Sequence, residues 1–75
     1  MTIFARRIVM QKVYKRINSL RKKCGITWDE LATMAGIPVS SWMTGIASYA
    51  IPDDDIRKIA PVLGTTYEYL KTGKK

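Results

Sequence analysis

Thr27-Trp28-Asp29-Glu30-Leu31-Ala32-Thr33-Met34-Ala35-Gly36-Ile37-Pro38-Val39-Ser40-Ser41-Trp42-Met43-Thr44 is the stretch that decides the fold. It opens on a capping box. The threonine oxygen accepts from a free backbone N–H, and the glutamate three residues on reaches back. Asp29 and Glu30 also suit the positive end of a helix dipole. Leu31, Met34 and Ala35 give this helix its expected buried side, and Gly36 stops it after about two turns. Pro38 pushes Ile37 into an extended conformation and is tolerated in a first helical turn, so a second short helix begins there. It runs through Trp42 toward Gly45 or Ile46, and a loop of roughly 47–52 follows.

Upstream, Val9, Val13, Ile17, Leu20 and Cys24 step by helical spacing, which places them on one face of a long first helix. Gly25 ends it. Cys24 reads as a small apolar residue near that end, not as a reactive thiol. Residues 1–12 form either a basic N-terminal arm or an extension of this helix. Downstream, Pro52-Asp53-Asp54-Asp55 opens a fourth helix, with Ile56, Ile59, Ala60 and Leu63 on its apolar face. Pro61 removes an internal hydrogen bond, so a kink or a tightened last turn is expected there. Gly64 ends that helix, Thr65 and Thr66 offer a cap, and a fifth helix spans 67–71 before Gly73. Lys74 and Lys75 make a basic tail. No stretch alternates with period two for long enough to be a strand. The fold expected is all-α, with five helices in one domain over 13–73 and an extended basic first helix.

A chain of 75 residues holds one small core. Its net charge of +7 suits a polyanion, either nucleic acid or an acidic membrane surface. Residues 1–24 carry Arg6, Arg7, Lys12, Lys15, Arg16, Arg21, Lys22 and Lys23 and no acid. That is read as an electrostatic footprint in preference to a merely solvated face. There is no histidine, and Cys24 is the one cysteine. A zinc finger, a histidine triad and an internal disulfide are excluded on that inventory. The aspartate run reads as a helix start, not a metal site. No nucleophile has a base beside it in the sequence, so neither catalysis nor a cofactor or small-molecule substrate is expected. No apolar run approaches the ~18 residues of a membrane span, and residues 1–10 show no clear signal-peptide core. The expected address is the cytosol.

Short helix, tight glycine turn, short helix is the helix-turn-helix motif. Its second helix is small enough to enter the roughly 12 Å wide major groove of DNA. The chain resembles the lambda-repressor-like (Xre-type) helix-turn-helix domains of phage repressors and bacterial regulators. The matching text is Arg16-Ile17-Asn18-Ser19-Leu20-Arg21-Lys22-Lys23, Gly25-Ile26-Thr27, Asp29-Glu30-Leu31-Ala32 and Ala35-Gly36-Ile37. It resumes at Ile51-Pro52, Ile59-Ala60, Leu63-Gly64 and Tyr69-Leu70-Lys71-Thr72-Gly73. The order and spacing of these fragments carry the resemblance over residues 13–73.

The resemblance implies a sequence-specific, double-stranded DNA-binding transcriptional regulator, of repressor type, in a bacterial or phage setting and associated with the nucleoid. The recognition helix would be 38–46. Val39, Ser40, Met43 and Thr44 match its groove-facing positions, and Ser41 a backbone-contacting one. Trp28 stands where the family often has a phosphate-touching glutamine, and Arg21 matches a commonly basic position of helix one. Arg6, Arg7, Lys12, Lys15 and Arg16 are further candidate phosphate partners, which would fix position and affinity without reading sequence. A homodimer is expected, with Tyr67, Tyr69 and Leu70 as candidate contacts.

The chain departs from the family in one respect that matters. The recognition helix has no Arg, Lys, Gln or Asn, the side chains of bidentate base contacts. Ser40 and Thr44 can make single hydrogen bonds, and Val39 and Met43 only apolar contact, for example with thymine methyls. Gly45 suggests that the helix ends early. Other readings stand beside these. Trp42 belongs in the core rather than on DNA bases. Trp28 is either a ring near DNA or packed on helix one or three. Tyr67, Tyr69 and Leu70 equally suit the closing edge of the core, and Tyr14 and Tyr49 a plain surface. The rival function is a protein-interaction module, meeting an antirepressor or a polymerase subunit. A membrane-surface role for residues 3–23 ranks last, because the Val9–Cys24 stripe is needed for the core.

Overall fold

The computed structural model describes residues 3–74, with the side chains of residues 3–7 excepted. Five helices follow in order: α1 (Ile3–Cys24), α2 (Trp28–Ala35), α3 (Val39–Ala47), α4 (Asp53–Val62) and α5 (Tyr67–Thr72). No strand occurs among the described residues. Residues 3–12 continue α1 and form no separate arm.

The capping box at the head of α2 is closed at both ends. Glu30 N–H donates to Thr27 Oγ1 at 3.1 Å, and Thr27 N–H donates to Glu30 Oε1 at 3.0 Å. At the other end Gly36 adopts φ 74°, and Ile37 N–H reaches back to Ala32 O at 2.9 Å. A left-handed residue here reverses the chain within a few residues, so α3 can pack against α2. At the end of α3 the same hydrogen-bond pattern recurs with Tyr49 in the left-handed position, at φ 54°. A non-glycine residue there costs about 1–2 kcal/mol. Its ring meets Tyr14 of α1 edge-on at 5.5 Å, which offsets part of that strain.

Gly45 does not end α3, which runs to Ala47. It is buried, and a Cβ at this position would lie 3.2 Å from Ala50 O. The glycine lets the 48–52 loop close onto the helix, where Ala50 N–H donates to Gly45 O at 2.9 Å. Pro61 does not end α4 either, and the helix finishes in the same glycine cap as at Gly36, with Gly64 at φ 72°. Gly64 N–H bonds to Pro61 O, and Thr65 N–H to Ala60 O.

The core joins all five helices: Val13 and Ile17 from α1, Leu31 and Ala32 from α2, Trp42 and Ile46 from α3, Ile56, Ile59 and Ala60 from α4, and Leu70 from α5. Ile37, Ile51 and Leu63 plug the connections. Helix α2 packs on α3 and α4, and α5 packs on α1 and α4. Three expected core residues are outside it. Val9 and Cys24 are exposed, because the core covers only the middle of α1 and the helix overshoots it at both ends. The core therefore takes up the α1 stripe only from Val13 to Leu20. Met34 is 61% exposed, and Ala32 takes the inward place.

Candidate nucleic-acid interface

Helix α3 turns Trp42, Gly45 and Ile46 inward. Ser40, Met43, Thr44 and Ala47 then recur at helical spacing on the opposite face, all exposed. Val39 and Ser41 flank that face and are exposed as well. The anchor beneath is Trp42, only 1% exposed. Its indole Nε1–H donates to Trp28 O at 3.1 Å, tying α3 to the first residue of α2. A buried indole with its one donor satisfied fixes both the depth of α3 and its angle to α2. Ala47 is the member of this face that sequence reasoning missed. Its i+7 relation to Ser40 was the available signal, obscured by ending the helix at Gly45 or Ile46.

The hydroxyls on this surface are not equivalent. Thr44 Oγ1 donates to Ser40 O at 2.9 Å, and Ser48 Oγ donates to Thr44 O at 2.8 Å. Thr44 therefore offers its γ-methyl and acceptor lone pairs, but its proton is already used. Among the described residues no hydrogen bond engages the hydroxyls of Ser40 and Ser41, so they keep both donor and acceptor capacity.

The cations of α1 divide into two groups. Lys12 and Lys15 are exposed and make no ion pair among the described residues. Arg16 and Arg21, also candidate phosphate partners, make hydrogen bonds within the fold. Arg16 Nη1 donates to Leu70 O at 3.1 Å and to Lys71 O at 3.3 Å, at the negative end of α5. Arg21 Nη1 donates to Ile26 O and Nη2 to Asn18 Oδ1, each at 2.7 Å, and the guanidinium covers the Trp28 ring at 4.8 Å. Its buried Nε has no acceptor. The side chains of Arg6 and Arg7 lie outside the described residues.

Trp28 is half-buried between α1 and α3. It stacks on Tyr14 at 5.3 Å and tilts against Trp42 at 6.1 Å. With Arg21 against it as well, the ring packs α2 onto α1 and α3. Tyr14 and Tyr49 extend the same aromatic row and are not idle surface residues. At the head of α2 the N–H of Glu30 is used by the capping box, leaving those of Trp28 and Asp29 beside two acids.

In α5, Leu70 is fully buried within the single chain and is withdrawn as a dimer contact. Tyr67 and Tyr69 are half-buried, and Arg57 covers the Tyr67 ring at 4.5 Å. Asp53 pairs with Lys71 at 3.0 Å, joining the start of α4 to α5. The hydrogen bond from Lys71 and the charge beside it hold the Asp53 carboxyl below its usual value. Among the described residues no three metal-binding side chains come together, and no helix is long and apolar enough to cross a membrane. Set against known proteins, the chain matches no family model, no curated protein and no solved structure.

Proposed function

We propose that these five helices form a lambda-repressor-like helix-turn-helix domain that binds double-stranded DNA with sequence selectivity, as a transcriptional repressor of bacterial or phage type. Helix α3 would enter the major groove. The observation that carries this reading is its outward face of Ser40, Met43, Thr44 and Ala47, held rigid by the buried Trp42 beneath. The net charge of +7 supplies the attraction to a polyanion, with Lys12 and Lys15, and with them the equally exposed Lys22 and Lys23, as described α1 cations available for phosphate. With so few base-reading groups per subunit, a homodimer on a two-fold site would raise affinity by joining two modest half-sites.

One feature supports the rival reading: the outward face of α3 bears no charged or amide side chain, as a protein-docking surface would allow. Salt dependence separates the two. Selection of duplexes from a random pool, followed by binding at several salt concentrations, should return a shared sequence and an affinity that falls steeply with salt. Failure to retain any duplex at low ionic strength would leave the protein-interaction reading in place.

A further inference from the structure

We infer that α3 reads thymine through its C5 methyl group, so that the preferred DNA is defined by thymine methyl positions in the major groove, not by the hydrogen-bonding edge of guanine. This deepens the duplex-DNA reading above and rests on it.

The outward face offers few groups that can tell one base from another. Guanine presents two acceptors, N7 and O6, and its discrimination calls for a paired donor such as a guanidinium. Residues 38–47 contain no such group, nor the amide that pairs with adenine. The hydroxyls narrow the choice further. Thr44 has already given its proton to Ser40 O, and Ser48 has given its own to Thr44 O. Ser40 and Ser41 remain as single donors, and a lone hydroxyl accepts or donates equally well and separates bases weakly.

The rest of the surface is apolar. Val39 is 36% exposed, Met43 is 39% exposed, and Ala47 lies between Met43 and Thr44 on the same face. These carbons are in water in the free domain and gain from being covered. In the major groove the thymine C5 methyl is the distinctive apolar group among the four natural bases, so it is the complement such a surface can select. Burying one methyl is worth about fourfold in affinity, equivalent to about 0.8 kcal/mol. Two or three methyls per half-site, doubled by a dimer, would give useful selectivity without a single bidentate contact.

The test begins with the best duplex recovered from the random pool. Each thymine is replaced singly by deoxyuridine, which removes the C5 methyl and keeps every Watson–Crick hydrogen bond. At contacted positions the affinity of the intact domain should fall about fourfold. The same duplexes are then bound by Val39→Ala and Met43→Ala, each first shown by its melting transition to be folded. The uracil penalty should vanish at the position whose methyl the truncated side chain covered. A recovered site with no thymine, a site indifferent to uracil, or a penalty identical in both variants would each overturn methyl readout while leaving DNA binding intact. A domain that retains no duplex even at low salt would remove the DNA-binding reading and this inference together.

Discussion

Replacing Arg16 with alanine should unfold the domain more readily, because this side chain closes the C-terminal helix onto the first. Its Nη1 donates to two carbonyls in the last turn of α5, at 3.1 and 3.3 Å. Hydrogen bonds from a charged donor contribute about 1.5–3 kcal/mol, and these two share one nitrogen at the long end of the range, which favours the lower figure. The charge at the negative end of a helix adds about 0.3–1 kcal/mol. The guanidinium also lies over Gly73, where a Cβ would come within 2.9 Å of Nη2. We expect a loss of about 2 kcal/mol, against a total of about 4–11 kcal/mol for a chain of this length. At about 4–8 °C per kcal/mol, the melting temperature should drop by about 8–16 °C, followed by circular dichroism at 222 nm. Lys12→Ala, in the same helix but exposed, is the control and should stay within about 0.5 kcal/mol of the parent. Should Arg16→Ala melt together with Lys12→Ala and the parent, the clamp contributes nothing to the fold.

Trp42→Phe removes the donor to Trp28 O and part of the buried ring, and should cost about 2–3 kcal/mol in urea unfolding; a loss under about 1 kcal/mol would mean that the indole does not fix α3. Lys12→Ala and Lys15→Ala should each weaken DNA binding alike on all sequences and make the log-log salt slope shallower by about one. An unchanged slope in both would remove these α1 lysines from the interface. Asp53→Asn should be less stable than the parent at neutral pH. Because the native carboxyl is held below its ordinary value of 3.8, the stabilisation is complete above that pH and is lost as the pH falls through the lower native value. The two proteins should therefore converge in acid, and a gap that persists at about pH 2 would rule out the Lys71 pair as its source.

What the sequence displays is local, and what it conceals is the outcome of closure. The capping box at Thr27 and the glycines at 25, 36, 64 and 73 mark helix ends because their partners lie within a turn of chain. Trp42 was legible as core because no charged neighbour competes for the inward face of so short a helix. Val9 and Cys24 were misplaced for a different reason. Periodicity gives the direction of a helix face, but not how far the neighbouring helices reach along it. The row Tyr49, Tyr14, Trp28, Trp42 likewise forms only when the loop after α3 and the start of α2 both meet α1.

The arginines show the cost of that blindness most directly. Arg16 finds its acceptors 54 and 55 residues away, on carbonyls that any residue type would present, so no spacing could announce them. Arg21 is held by a carbonyl and an asparagine of the α1–α2 corner and by the Trp28 ring. The consequence reaches the proposed interface. Each phosphate contact contributes about 0.9 to the salt slope on duplex DNA, so if both arginines stay with the fold the expected slope would be shallower by about 1.8 per subunit. Electrostatic affinity would then rest on the remaining cations, among them the exposed α1 lysines at 12, 15, 22 and 23. A larger share of the total affinity falls in turn to the contacts that α3 makes in the groove.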